Sequence, residues 1–574
     1  MKFWSILCAV ALCVFPLRAQ VNNTELNDPK PGDQTVWTSV SDVKLGWGSR
    51  DVRYSRSQVP TFEKKLTLRA WRGERVSAQA LLVSPKELKN VTFQVSDLKS
   101  GKNKIDASAV RKYFVRYVMG DEYANKAGKK ASGYHEKWEM DSFLLADRLD
   151  PVKQLDVAAH TTRPLWLDIR VPANAVAGKY TGTLSVSAEG KDWSIPYTLE
   201  VTDRVLPAPK DWKFHLDLWQ NPYAVARYYQ VPLWSKEHFD LMRPMMTLLA
   251  EAGQKVITTS IIQRPWNGQT EDPFCSMIAK IKKLDGSWLY DYSVFDRWVE
   301  FMMSCGITEQ IDCYTLVPWN YTFDYYDLST NEVKHIACKP GTPEYHDYTY
   351  NFLKDFAAHL KSKGWFSKTC IAMDERPMDQ MQAVYNIVKE ADKDYRIAGA
   401  FNYFPDVVKN VHDASVAFQF NLIDQKTIDE RHQKGDYVTF YTCCGPHHPN
   451  TFTFSPSAES AFLGWHSVAV NYDGYLRWAY CSWNKQPCQD SRFRTWASGD
   501  CYLVYPDGSS IRFEQMVRGI QAYEKVRILQ KELTGKKLEK LNQLLQPFRV
   551  IKLEESQDVA KMVEQAEFQL KMLE

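Results

Sequence analysis

The sequence predicts an N-terminal β-sandwich, then a (β/α)8 barrel, then a C-terminal helical segment, and three observations carry that prediction. Between about 36 and 203, short alternating runs follow one another with turn residues between them and no helical pattern. After 212, strand-like runs alternate with amphipathic helical stretches. From about 511 the chain is helical and increasingly charged.

In order, the first residues, "MKFWSILCAVALCVFPLRAQ", combine Lys2, an apolar stretch from Phe3 to Leu17, and Ala19 before Gln20. This is the pattern of a cleavable secretory signal over residues 1–19, so a periplasmic or extracellular product is expected. Its removal takes away Lys2 and Arg18 and no acid, so a net charge of +3 becomes +1. A nearly neutral protein has no electrostatic reason to seek nucleic acid or anionic lipid. No later segment is long and apolar enough to span a bilayer.

Residues 20–205 form the expected sandwich, with runs such as "KLTLRAW" (65–71), "VTFQVSDL" (91–98), "LWLDIRVP" (165–172) and "GTLSVSA" (182–188). "LPAPKD" (206–211) punctuates the boundary with proline. Residues 206–510 form the expected barrel. Its strands are read as 214–219, 256–261, 311–316, 369–374, 397–402, 416–421, 437–442 and 475–480, with helices at 238–253, 294–306, 345–364 and 379–392. A doubly wound nucleotide-binding sheet is disfavoured, because the first strand ends "DLWQNPY" and not in a glycine-rich loop. Residues 511–574 are expected to pack against the barrel's outside.

Barrel enzymes build their sites from the C-terminal ends of the strands. Here those ends carry Trp219, Gln220 and Asn221; Gln263, Arg264 and Trp266; Trp319 and Asn320; Asp374 and Glu375; Asn402 and Tyr403; Asn421; Tyr441; and Trp478 and Trp483. Together they describe a bowl of aromatic faces and amides around two carboxylates, suited to a neutral polyhydroxylated ligand. Asn221, Trp319, Asn402, Tyr403, Tyr441, Trp478 and Trp483 are the candidate ligand contacts. The acids Asp374 and Glu375 read two ways, as acids favoured at the start of the helix that follows or as a catalytic pair.

An ordinary glycosidase needs two carboxylates across the scissile bond. The seventh strand ends "TFYTCCGPHH" without an acid, so a protein nucleophile is missing from its usual place. Substrate-assisted hydrolysis does not need one, because the sugar's own 2-acetamido oxygen attacks the anomeric carbon. It requires a general acid beside a carboxylate that orients the acetamide, and adjacent acids fit that requirement.

"IAMDERP", "YTCCGPHHPNTF" and "SGDCYLVYPDGSSIRFEQMVRGIQAYEK" resemble glycoside hydrolase family 123, the β-N-acetylgalactosaminidases. "RPLWLDIRVPANAVAGKYTGTLSV" resembles that family's N-terminal sandwich, so the resemblance covers nearly the whole chain after the leader. It implies a retaining, substrate-assisted mechanism with Glu375 as general acid/base and Asp374 orienting the acetamide. It also implies a glycan substrate ending in β-linked N-acetylgalactosamine. The alternatives are a β-N-acetylglucosaminidase, a two-carboxylate glycosidase whose partner acid sits on a loop such as 320–327, and a non-catalytic glycan-binding protein.

No cofactor is expected. Cys443-Cys444-Gly445-Pro446-His447-His448 does not match usual metal-ligand spacings. Of 12 cysteines, two lie in the leader and ten between Cys275 and Cys501. Most read as small buried apolar residues, whereas Cys443 and Cys444 read either as a vicinal disulfide, a rigid apolar plate under the sugar, or as two free thiols.

Overall fold

The structure, a computed structural model, describes residues 24–123, 140–402, 406–420, 422–494 and 496–574. The expected leader, Tyr403 and Asn421 lie outside the described residues. No helix among the described residues is long and apolar enough to cross a membrane.

The alternating runs of the N-terminal part become two facing sheets. One holds Lys44–Gly48, Arg75–Ser84, Thr161–Arg170, Val110–Tyr123 and Met140–Asp150. The other centres on Leu66–Arg72, Lys191–Val205, Gly178–Ala188 and Leu88–Val95. Side chains on the inner faces meet between the sheets, as sandwich cores require. Phe93 meets Phe114 edge to face at 5.0 Å, and Trp47 meets Tyr197 at 5.6 Å.

The second part is a nearly closed barrel of eight parallel strands: β1 (His215–Leu218), β2 (Val256–Ser260), β3 (Gln310–Tyr314), β4 (Thr369–Met373), β5 (Arg396–Phe401), β6 (Asp413–Ala417), β7 (Tyr437–Tyr441) and β8 (Gly474–Arg477). Backbone ladders run from β2 through β3 to β8 and on to β1. Between β1 and β2 the junction is a single bridge, Leu216 to Gln254. Side-chain amides complete it. Gln254 accepts from the Leu218 N–H at 3.0 Å and donates to the Val256 carbonyl at 2.8 Å. Gln220 accepts from the Thr258 N–H at 2.9 Å. Both glutamines are buried, so their amides satisfy backbone groups that would otherwise be orphaned.

Helices cover the barrel: α1 (Pro222–Tyr229) and α2 (Lys236–Ala250) after β1, α3 (Ser293–Ser304) after β2, α4 (Pro343–Ser362) after β3 and α5 (Met378–Ala391) after β4. A 3-10 turn, Asp406–Asn410, stands where a helix after β5 would be. Then come α6 (Gln425–Lys434), α7 (Ser457–Ala469) and α8 (Ile511–Glu532) after β6, β7 and β8, with α9 (Gly535–Leu545) and α10 (Val559–Leu573) beyond. α7 and α8 cross closely at Gly464 and Gly519; a Cβ on Gly464 would fall 2.1 Å from the Gly519 carbonyl oxygen. Only glycine permits that approach.

The loops after β2 and β3 build a further four-stranded sheet from Ala279–Lys282, Trp288–Asp291, Thr322–Asp327 and Glu332–Ala337. Its inner face packs on α4, with Trp288 against Tyr348 and Tyr290 against Phe352. Most of the segment 320–327, proposed from sequence as a place for a second acid, is a strand of this sheet.

The chain leading into α8 is welded to the sandwich. Ser509 and Ser510 pair with Leu149 and Arg148 as an added strand. Arg512 meets Asp147 at 3.0 Å, Arg518 meets Asp51 at 2.6 Å, and Glu514 meets Arg75 at 3.2 Å.

Candidate active site

β4 is buried along its whole length and delivers Asp374 and Glu375 to the barrel's C-terminal face. α5 starts only at Met378, its N-cap Pro377 makes no side-chain capping bond, and the acid in its first turn is Asp379. The pair is therefore not helix-start chemistry. Asp374 Oδ1 accepts from the Glu375 N–H at 2.8 Å, and Asp374 Oδ2 accepts from the indole N–H of Trp319 at 3.2 Å. Trp319 is in turn held from below by the Arg376 guanidinium, 4.6 Å from its ring centre.

Glu375 has a different environment. Its Oε1 accepts a short hydrogen bond from the Tyr441 hydroxyl, delivered by the end of β7. Burial holds the Glu375 carboxyl above its ordinary value; the Tyr441 bond opposes that shift and the Asp374 charge reinforces it. Two neighbouring acids are thus given different partners, an arrangement that separates acid from base roles.

A cavity of about 140 Å³ opens beside the pair. A cavity of roughly 150 Å³ takes one six-membered ring, so the space beside the pair suits one ring. Asp374, Glu375, Trp319, Tyr441 and Trp478 all line it, with Trp219 and Trp266 behind them. Two larger cavities, about 270 and 420 Å³, lie on the seam between the sandwich and α8 and α10. Their walls carry charges paired across the seam, such as Arg50 with Glu567 and Arg518 with Asp51.

Other candidate contacts have different jobs. Asn221 is fully buried and caps α1, its Oδ1 accepting from the Tyr223 and Ala224 N–H groups at 3.1 and 3.3 Å. Trp483 is fully buried too, its indole donating to the Val504 carbonyl at 2.8 Å and its ring packed on Tyr228 and Tyr229. Neither lines the cavity. Asn402 is exposed at the end of β5, with its Oδ1 3.4 Å from the Tyr441 hydroxyl.

Sequence reasoning passed over the wall residues Gln269, Trp496 and Asp500. Gln269 and Trp496 come from the long loops after β2 and β8, where no periodicity announces a function. Asp500 was inside a quoted motif, but nothing in its spacing gave it a place in the wall. Cys443 and Cys444, offered from sequence as a plate under the sugar if they are disulfide-bonded, both line the cavity. Asp500 is fully buried, its Oδ1 accepting from Arg477 at 2.8 Å and from the Trp478 indole at 3.0 Å. Of the acids on 320–327, Asp324 meets His335 at 2.6 Å and Asp327 meets Lys334 at 2.7 Å; neither lines the cavity. His447 and His448 pack edge to face at 4.5 Å, and each is tied to its own carboxylate, Glu122 at 3.0 Å and Glu459 at 2.6 Å. Among the described residues, no group of three or more His, Cys, Asp or Glu side chains is placed to hold a metal ion.

No curated protein matches the sequence. Among solved structures, a family 123 glycoside hydrolase from Clostridium perfringens, described for glycolipid glycan hydrolysis, has a TM-score of 0.82 at 24% identity, covering 93% of this chain and 98% of its own. A β-glucuronidase from Parabacteroides merdae has a TM-score of only 0.29 at 12% identity, covering 84% of this chain and 52% of its own, and carries no argument. The family model for the glycoside hydrolase 123 N-terminal domain matches residues 47–188, and that for the glycoside hydrolase 123 catalytic domain matches residues 219–529. The second match alone takes in more than half of the chain, from the end of β1 into α8, with the acid pair inside it; the chain belongs to glycoside hydrolase family 123.

Proposed function

We propose that this glycoside hydrolase is exported and releases terminal β-linked N-acetylgalactosamine from glycans, with retention, using the substrate's acetamide as nucleophile. The observation that carries this reading is the adjacent acid pair with separate partners in a cavity for one ring. Glu375, whose carboxyl burial raises above its ordinary value, donates its proton to the glycosidic oxygen as the C1–O bond breaks. The acetamido oxygen attacks C1 from the opposite face and closes an oxazolinium ring. Asp374, fixed by Trp319, accepts the amide N–H and balances the developing positive charge. Glu375 then takes a proton from water, whose oxygen attacks C1 and reopens the ring, so two inversions leave the configuration unchanged.

Among the described residues one other acid lines the cavity, and it supports the same reading. Asp500 is sealed from solvent, with its Oδ1 held by Arg477 and Trp478, which leaves it poorly placed to attack C1. The walls on either side of a single ring support exo action, and the preference for the galacto sugar follows the family resemblance. The leader-like first 19 residues support export.

The test is Asp374→Asn on paired N-acetyl and N-trifluoroacetyl β-galactosaminides, beside the wild-type rates on β-GalNAc and β-GlcNAc. Loss of one oriented charge is expected to cost on the order of 10²–10³ in kcat. The cost should be smaller on the trifluoroacetyl substrate, a weaker internal nucleophile. Equal losses on both substrates, or a covalent fluorosugar trapped on a carboxylate, would overturn the mechanism. Faster turnover of β-GlcNAc would overturn the galacto preference.

A further inference from the structure

The wall of the sugar cavity contains two thiols that the mechanism does not use. Cys443 and Cys444 follow the end of β7 directly after Tyr441 and Thr442, and both line the cavity. Their Sγ atoms lie 3.9 Å apart. The loop holding them is stiffly built. Asn450 donates to the Cys443 carbonyl at 3.0 Å and to the Pro446 carbonyl at 2.6 Å, and the Cys443 N–H bonds the Gly445 carbonyl at 3.0 Å. Thr442 is held by the Tyr475 hydroxyl at 2.6 Å and by Arg477 at 3.1 Å. The other eight described cysteines are free and scattered through the fold, seven of them buried and Cys275 partly so. Among the described cysteines, this pair has its two sulfurs side by side in the wall of the ligand space.

We propose that Cys443 and Cys444 are a thiol–disulfide exchange site, closed to a vicinal disulfide by an exported protein or small-molecule disulfide, and that its oxidation state sets the shape of the sugar cavity's wall. The Cys444 thiolate attacks one sulfur of the oxidant, forming a mixed disulfide and expelling the oxidant's first thiolate. The deprotonated Cys443 sulfur then attacks the Cys444 sulfur and expels the second. Two electrons and two protons leave the pair, and the oxidant ends as two thiols. The hydrogen bond to the Cys444 sulfur, with burial, holds the Cys443 thiol well above the usual range, so Cys444 is the sulfur that meets the oxidant first.

Adjacent residues set their Cα atoms about 3.8 Å apart, closer than the roughly 4.4–6.8 Å of ordinary disulfides. The ring is therefore strained and easily reduced again, as regulatory disulfides are. Closing it replaces two S–H donors with a fixed apolar plate beside Glu375 and Trp478. The acid pair itself is untouched, so the effect falls on binding.

The redox part of the proposal stands on the sulfurs alone; its consequence for turnover rests on the sugar reading of the cavity. The test exposes the folded full-length protein to oxidised glutathione, blocks remaining thiols with N-ethylmaleimide, and maps peptides by mass. The peptide containing 443–444 should be lighter by two hydrogens, carry no maleimide, and accept two after dithiothreitol. Maleimide on both sulfurs after oxidation would overturn the proposal. In Cys443→Ala, which cannot close the ring, a stable glutathione adduct should remain on Cys444; its absence would overturn the assigned order of attack.

Kinetics of the oxidised and reduced wild type should then differ mainly in KM, by about tenfold, the low end of what one small apolar contact in a pocket is worth. A disulfide that forms without moving KM would overturn its place in the cavity wall. An enzyme that forms the disulfide and hydrolyses neither hexosaminide would sink the sugar reading and leave the exchange site standing.

Discussion

Two clusters of carboxylates occupy the same barrel, and only one of them can do chemistry. At the mouth, Asp374 and Glu375 are half-buried and open onto the cavity. Deep inside, His215 and Asp217 of β1, Gln310 and Asp312 of β3 and Asp413 of β6 form a sealed network, none of the four titratable groups more than 5% exposed. Asp413 Oδ2 accepts from His215 Nε2 and Gln310 Nε2, both at 2.8 Å, and Gln310 also donates to Asp312 at 2.9 Å. Burial raises Asp217 to about 7 and Asp312 well above the carboxylate range. Burial also disfavours charge on His215 and Asp413, but their attraction for each other, with the Gln310 hydrogen bond to Asp413, outweighs it, so His215 is shifted up and Asp413 down from their ordinary values. The deep cluster is the more strongly perturbed, yet it has no route to a substrate. Perturbed acidity marks a candidate site only where a ligand can reach it.

Four variants break or sharpen that contrast. The largest effect is expected at the mouth: Glu375→Gln should lower kcat/KM on natural glycans by roughly 10²–10⁴ while the melting temperature barely moves. Near-wild-type rates would remove Glu375 from the acid role. In the deep cluster the pattern should invert. His215→Ala leaves the Asp413 charge buried without its cation and should cost about 3–5 kcal/mol in stability by denaturant unfolding, with kcat per folded molecule retained. A stable, inactive His215→Ala protein would mean that the network acts on catalysis.

Asp217 gives a pH signature of the sealed cluster. Its folded pKa is raised above the unfolded value, so its stabilising contribution is complete below about pH 4 and disappears as pH rises through about 7. Asp217→Asn, which can still accept from the Trp219 indole, should flatten that decline and be more stable than wild type at pH 8 by on the order of a few kcal/mol. Parallel stability curves for the two proteins would contradict it.

The smallest effect belongs to Tyr441→Phe. Removing the phenol takes away a bond that lowers the Glu375 pKa, so the carboxyl should stay protonated to higher pH. The basic limb of the kcat/KM profile should then move upward, with a loss of about tenfold at the optimum from poorer orientation. An unmoved basic limb would mean that Tyr441 does not tune the acid.

The same contrast explains what was legible in the sequence. Seven barrel strands lie within a few residues of the apolar runs that announced them, because strands buried on both faces must be apolar. β6 was read at 416–421 and lies at Asp413–Ala417. The residues that displaced it, Asp413 and Ser415, are polar and buried, and Asp413 belongs to the sealed network. At the mouth, Asp374 and Glu375 could be found because paired acids at a strand end are uncommon and chemically specific. Asn221 and Trp483 could not be sorted, since an amide or indole after a strand looks the same whether it caps a helix, fills the core or faces a sugar. Gln269, Trp496 and Asp500 are brought to the cavity by long aperiodic loops, whose paths no local pattern encodes.

The weld between sandwich and α8 limits how far this chain can be dissected. Arg512 and Arg518 are buried, and the anions opposite them, Asp147 and Asp51, lie in the sandwich. A barrel cut free at the proline-rich linker would keep those guanidinium groups and lose their counter-charges, and it would strip Ser509 and Ser510 of the strand they pair with. Recombination at that linker should therefore succeed only between halves that already share these charges, although the two parts resemble separable modules.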